Sequence, residues 1–175
     1  MSRWRPAAPA HSDPWRAWLT YHGSLTRRIV ERAGTMRVEI VGERLRFPND
    51  DEYAALGRPR HRLAFVREVV LHAGGGPVVL AHSIAARRDL DGAWHALRGL
   101  GTRPLAAMLF GDPRVRRAPF EYARIDPRHP LWKRACRLLG ARLPALRARR
   151  SRFTLRGRPL VVTEVFLPSL GGLGR

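Results

Sequence analysis

The stretch RLAFVREVVLHAGGGPVVLAHSIA, residues 62–85, decides the fold. β-branched and aromatic residues fill both flanks of Gly74-Gly75-Gly76-Pro77, a run that neither a strand nor a helix continues through. The pattern predicts a strand from about Arg62 to His72, a turn, and a return strand from Val78 to Ala85. That is a β-hairpin. The glycines precede a strand and not a helix, so they are not a phosphate-binding loop, which needs a helix N-terminus behind it.

Downstream, Asp89 to Leu97 reads as a helix, with Trp94 and Leu97 on one face and Gly99-Leu100-Gly101 as its end. Pro104 opens a short helix carrying Leu105, Met108 and Leu109. Arg116 to Ile125 alternates as a strand, Pro130 to Leu139 is helical with Gly140 as its stop, and Pro144 to Ala148 reads as loop. A second hairpin follows: Arg150 to Leu155, a turn at Arg156-Gly157, then Leu160 to Leu167, ended by Pro168. Upstream, Asp13-Pro14 starts a short helix through Trp15, Trp18 and Leu19. Ser24 caps another that carries Leu25, Ile29 and Val30 and stops at Gly34. Met36, Val38 and Ile40 alternate as a strand, Val41-Gly42-Glu43 reads as a turn, and Leu45 and Phe47 as its return. Asn49 with Glu52 suggests a capping box for a helical turn ending at Gly57. Strands outnumber helices and their connections are short, so the expected class is α+β: a single, mainly antiparallel sheet with helices on one side. The expected divisions are a flexible N-terminus over 1–12, one domain over 13–170 and a flexible tail over 171–175.

Two charges break the apolar pattern of these strands. On one face of the first read Leu63, Phe65, Arg67, Val69 and Leu71; on one face of the last, Leu160, Val162, Glu164 and Phe166. A buried charge must be paired or it costs several kcal/mol, on the order of 3–5. Arg67 and Glu164 either pair with each other or face a cavity and hold a ligand between them. Arginine suits a bidentate grip on a carboxylate, and a carboxyl group in an apolar pocket suits proton transfer or hydrogen bonding. Glu68 points to the opposite face and reads as a surface or edge charge. The histidines have no metal-ligand spacing, no GxSxG elbow is present, and Cys136 reads as structural.

Composition bounds the rest. The chain has 175 residues and a formal charge of +19, from 33 Lys+Arg against 14 Asp+Glu. Lys133 is the one lysine, and the arginines are spread from Arg3 to Arg175. That spread, with abundant Ala, Gly, Pro and Leu, fits a biased coding composition better than phosphate recognition, so no specific nucleic-acid partner is expected. The positive field would still speed the approach of an anionic substrate. The single cysteine allows no internal disulfide and suits a reducing compartment. Residues 1–12 lack the apolar core of a signal peptide, and no apolar run approaches the ~18 residues of a spanning helix. A soluble, cytoplasmic protein without membrane insertion is expected.

Several phrases, in order, carry a resemblance: Gly23-Ser24-Leu25-Thr26-Arg27, Val66-Arg67-Glu68-Val69, Leu100-Gly101-Thr102-Arg103-Pro104-Leu105, Arg149-Arg150-Ser151-Arg152-Phe153, and Pro159 through Pro168 with Thr163-Glu164 at its centre. Together they resemble the chorismate–pyruvate lyase family, which makes 4-hydroxybenzoate for ubiquinone. The resemblance implies a monomer with a six-stranded antiparallel sheet and helical flaps over an enclosed site, using neither metal nor organic cofactor. It implies that Arg67 grips the ring carboxylate of chorismate, that backbone N–H groups of Leu25 and Leu105 add to that grip, and that Glu164 meets the 4-hydroxyl. Where the family often has Gly-Arg-Thr this chain has Ala81-His82-Ser83, and His82 becomes the candidate for holding the carboxylate of the departing side chain. Two other readings are a non-catalytic domain of similar fold that senses an aromatic carboxylate, and a nucleic-acid binder driven by charge. The first lacks an appended helix-turn-helix, and the second lacks basic–aromatic interleaving.

Overall fold

The computed structural model describes residues 4–57 and 61–173. The hairpin at Gly74-Gly75 forms as expected: both glycines take positive φ (58° and 84°), open to glycine without strain. It joins β2 (Ala64–Ala73) to β3 (Gly76–Ala86). The second hairpin joins β6 (Leu146–Leu155) to β7 (Arg158–Phe166) through Arg156 and Gly157, both at positive φ. With β1 (Arg37–Arg46), the two-residue β4 (Arg116–Arg117) and β5 (Glu121–Ile125), these build one antiparallel sheet in the order β1-β2-β3-β7-β6-β4, with β5 also paired to β6. The antiparallel α+β architecture is the expected one. Among the described residues the strands number seven, the seventh being the short β4.

Strands β2, β3 and β7 carry large apolar residues on both faces, so both faces need a cover. Helices α1 (Arg16–Leu19), α2 (Leu25–Ala33) and α4 (Leu105–Gly111), with two 3₁₀ turns at Arg87–Asp91 and His95–Gly99, cover the face that carries Val69, Phe166 and Leu160. Helices α3 (Glu52–Ala55) and α5 (Pro130–Leu139) cover the other, packing Leu131, Trp132 and Ala135 on Val70, Leu80 and Val165. The expectation of helices on one side is therefore corrected to helices on both.

Other boundaries move for identifiable reasons. Val41-Gly42-Glu43 is not a turn but a β-bulge within one long strand: Ile40 pairs with Val69 and Gly42 with Glu68, leaving Val41 over. Asp89–Leu97 forms 3₁₀ turns and not a helix, while β6 starts at Leu146 inside the segment read as loop. The half-formed capping box is present, with the Asn49 N–H donating to the Glu52 carboxylate at 2.8 Å.

The ends are tied down further than their composition suggests. Met1–Arg3 and the last two residues lie outside the described residues. In the N-terminal segment, Arg5 bridges to Tyr122, and the Trp4 indole N–H donates to Asp51. After β7 a 3₁₀ turn over Pro168–Gly172 buries Leu170 completely.

Asp51 is the anchor for Trp4. Burial pushes its carboxyl up, but the His129 imidazole, the Trp4 N–H and the Arg150 charge outweigh burial and hold it below the ordinary aspartate range. A depressed carboxyl contributes stability above its unfolded value and loses it as pH falls through the folded value. Stability should therefore fall as pH drops below about 4, the ordinary aspartate value. Asp51→Asn should show a shallower acid limb. Urea midpoints between pH 6 and pH 3 check this, and parallel curves for the two proteins would refute the assignment.

Candidate active site

Pleat and register assemble one face of the sheet into a floor. Successive strand residues point to opposite faces. The pairing sets Arg67 of β2 opposite Ser83 of β3, then Val162 of β7, then Ser151 of β6. The next row is Val69, Ala81, Glu164 and Arg149. Over these rows lies a cavity of ≈ 70 Å³, room for about five waters at the ~10–15 Å³ each needs. Its roof is the start of α2, at Leu25 and Thr26, and the inner side of α4, at Leu105, Leu109 and Phe110. Leu25 and Leu105 each open their helix, where backbone N–H groups have no intrahelical acceptor. Wider surface hollows exist, but none brings Arg67 and Glu164 together.

Arg67 and Glu164 do not pair. On regular strand spacings their Cα atoms stand about 12 Å apart, two strands across and two residues along. Arg67 is buried, donating from Nη2 to the Gly101 carbonyl at 2.8 Å and from Nη1 to the carboxylate of Glu43, its register partner on β1. Among the described residues two of its five N–H donors are taken, and three remain. Glu164 accepts from Arg149 Nε at 2.5 Å. Arg149 is 1% exposed, and its Nη1 donates to the carbonyls of Trp18 (3.0 Å), Leu19 (3.1 Å) and Tyr21 (2.7 Å). Its guanidinium also lies 4.4 Å from the centre of the Phe120 ring. Each charge is thus neutralised by its own partner, and both line one cavity.

Four of the expected site residues, Arg67, Glu164, Leu25 and Leu105, come together around that cavity. His82 does not. It sits between Ala81 and Ser83, so alternation turns it to the opposite face. There Nδ1 lies 2.7 Å from Glu68 and Nε2 2.9 Å from Glu52, all three residues being buried. Arg134 of α5 pairs with Glu68 as well. His82 is withdrawn as a substrate contact, and Glu68 is corrected from a surface charge to a buried one. Among the described residues no cluster of three or more His, Cys, Asp or Glu is placed to hold a metal ion.

Sequence reasoning missed Arg149 and Glu43. Starting the β6 strand at Arg150 left Arg149 outside it; an alternation carried one residue further back from Phe153 and Ser151 finds it. The bulge hid Glu43 by shifting the phase of β1.

The chain matches the family model for chorismate lyase over residues 3–171. It is 46% identical over 171 residues to the probable chorismate pyruvate-lyase of Nitrosospira multiformis, covering 97% of this chain and 95% of that one. It is 50% identical over 168 residues to the protein of the same name from Aromatoleum aromaticum, covering 95% and 89%. Among solved structures, the PhnF C-terminal domain matches with a TM-score of 0.59 at 14% identity, covering 80% of this chain and 87% of that one. The C-terminal domain of the histidine utilization repressor from Pseudomonas syringae matches with a TM-score of 0.54 at 14% identity, covering 77% and 93%. At such identities these two speak for the fold alone.

Removing Arg149 leaves a carboxylate and three carbonyls without their cation. Arg149→Met should lower stability by about 3 kcal/mol or more. Glu164→Gln removes the charge but keeps an acceptor oxygen for Arg149, whose guanidinium also keeps its three carbonyls, and should cost less, about 1.5–3 kcal/mol. Urea denaturation of the two variants separates these outcomes; equal midpoints would remove the pair from its place as a structural tie.

Proposed function

The chain belongs to the chorismate lyase family, and we propose that it eliminates pyruvate from chorismate to leave 4-hydroxybenzoate, the first committed step towards ubiquinone. The observation that carries this reading is the position of Arg67 and Glu164 on one cavity, apart from each other and each held by a separate partner. A para-substituted ring with a carboxylate at one end and a hydroxyl at the other has the matching polarity.

In the proposed complex the ring carboxylate takes the remaining Arg67 donors, joined by the N–H groups of Leu25 and Leu105. The ring lies between Val69, Ala81 and Val162 below and Leu105 and Leu109 above, so water is excluded. Glu164 accepts from the 4-hydroxyl. It is the one carboxylate among the lining residues. Chemistry then needs two bonds to break: a proton leaves C4, its electron pair becomes the third double bond of the ring, and the C3–O ether bond opens, so that the side chain departs as enolpyruvate and takes up a proton on carbon to become pyruvate. The ring becomes aromatic, so the driving force resides in the substrate. The protein contributes orientation and charge, effects that can supply several kcal/mol, on the order of 7–11 for positioning alone. The proposal includes no cofactor and a monomer acting in the cytoplasm. The lone Cys136 and the absence, among the described residues, of a helix long and apolar enough to cross a membrane are consistent with it.

Incubation with chorismate should release pyruvate and 4-hydroxybenzoate in equal amounts; release no faster than the uncatalysed background would overturn the reading. Tight binding of 4-hydroxybenzoate without turnover would point instead to a binding domain. Arg67→Ala and Glu164→Ala should each lower kcat/KM about tenfold to a hundredfold or more, the size of a lost charge-assisted hydrogen bond, while circular dichroism shows a folded protein. Near-normal turnover in both would displace the site.

A further inference from the structure

Chorismate carries two carboxylates, and the residues above account for one. The second belongs to the enolpyruvyl group on C3, next to the hydroxyl-bearing C4, so it must lie beside the Glu164 end of the cavity. On the β3 side of Glu164 the floor offers Ala81, which has no charge. On the β6 side it offers two unused groups. Ser151 is 3% exposed, lines the cavity, and its Oγ has no hydrogen-bond partner. A buried hydroxyl without a partner is uncommon and points to one supplied from outside. Arg117 of β4 also lines the cavity and stands opposite Phe153, two residues from Ser151 on the neighbouring strand.

Among the described residues no Asp or Glu forms an ion pair with Arg117. Its guanidinium donates from Nη2 to the His22 carbonyl at 2.5 Å and stacks 4.7 Å from the centre of Phe120 and 5.5 Å from that of Phe110. Phe120 therefore carries both Arg117 and Arg149, but only Arg149 has a carboxylate. Burial, then the neighbouring Arg149 charge, press Arg117 below the ordinary arginine range, with Glu164 acting the other way.

Resting on the chorismate reading above, we infer that Arg117 with the Ser151 hydroxyl holds the enolpyruvyl carboxylate, and so distinguishes the two-carboxylate substrate from its one-carboxylate product. The arrangement makes Arg117 a contact for the departing group, at the opposite end of the cavity from Arg67.

The test is a split between two measurements. Arg117→Gln should raise KM for chorismate about tenfold or more, the size of a lost charge-assisted hydrogen bond, while the Kd for 4-hydroxybenzoate by titration calorimetry stays within about twofold. Arg117→Lys keeps the charge without the fork and should fall between the two, which also serves if the Gln variant does not fold. Ser151→Ala should raise KM severalfold with the same unchanged product Kd. Equal weakening of substrate and product would show a structural role and overturn the inference, as would an unchanged KM. If the wild-type chain releases pyruvate and the Arg117 variants match it, this inference alone fails; if the wild type releases none, the lyase reading fails and takes this one with it.

Discussion

One ion pair, its arginine buried and its glutamate half-buried, joins the parts of this structure that have to stay together. Arg149 and Glu164 are register partners on β6 and β7. A carboxylate in that position needs a cation, because an unpaired charge there costs several kcal/mol, on the order of 3–5. The same guanidinium reaches beyond the sheet to the carbonyls around the end of α1, which a short helix cannot satisfy itself. Pairing of the charge, closure of α1 onto the sheet and placement of the cavity's carboxylate are therefore one event. Loss of the arginine would disturb all three, and the same residue would look structural or functional according to the assay used.

The two faces of the sheet solve the same electrostatic problem differently. On the cavity face, Arg67 and Glu164 are each neutralised from one side and keep a second side towards open space. On the opposite face, Glu68, His82, Glu52 and Arg134 contact one another under α3 and α5, and Arg44 reaches Glu68 from the edge strand. Neighbouring residues in sequence, Arg67 with Glu68 and His82 with Ser83, therefore belong to unrelated environments. This is why a histidine in the middle of the motif region is not at the site.

Much of this was legible in the residues. Period-2 alternation with Gly-rich and Arg-Gly turns identified both hairpins, and with them the antiparallel core and the face shared by Arg67 and Glu164. Ser24, Pro104 and Pro130 marked helix starts correctly because capping chemistry is local. What remained hidden depends on distant contacts. Whether Arg67 and Glu164 meet depends on how many strands separate them, which alternation does not encode. The ordered segments at Trp4 and Leu170 owe their placement to partners at Asp51 and in the core, not to their own composition. Cover on the second face follows from the apolar positions Val66 and Val70 of β2 and Val161 and Val165 of β7.

The bulge at Val41 has a consequence for how this site can vary. Before it, Val38 and Ile40 sit opposite the cavity-facing Leu71 and Val69; after it, Glu43 and Leu45 sit opposite Arg67 and Phe65. With Val41 in the ladder, Gly42 would stand opposite Arg67, and Glu43 would go to the far face with Val66. One supernumerary residue thus works as a phase shifter, delivering an acid to the back of the arginine without any change in the residue itself. Related chains can add or withdraw that acid by gaining or losing a single codon in an edge strand, so length differences of one residue at this point carry as much chemical meaning as a substitution in the cavity.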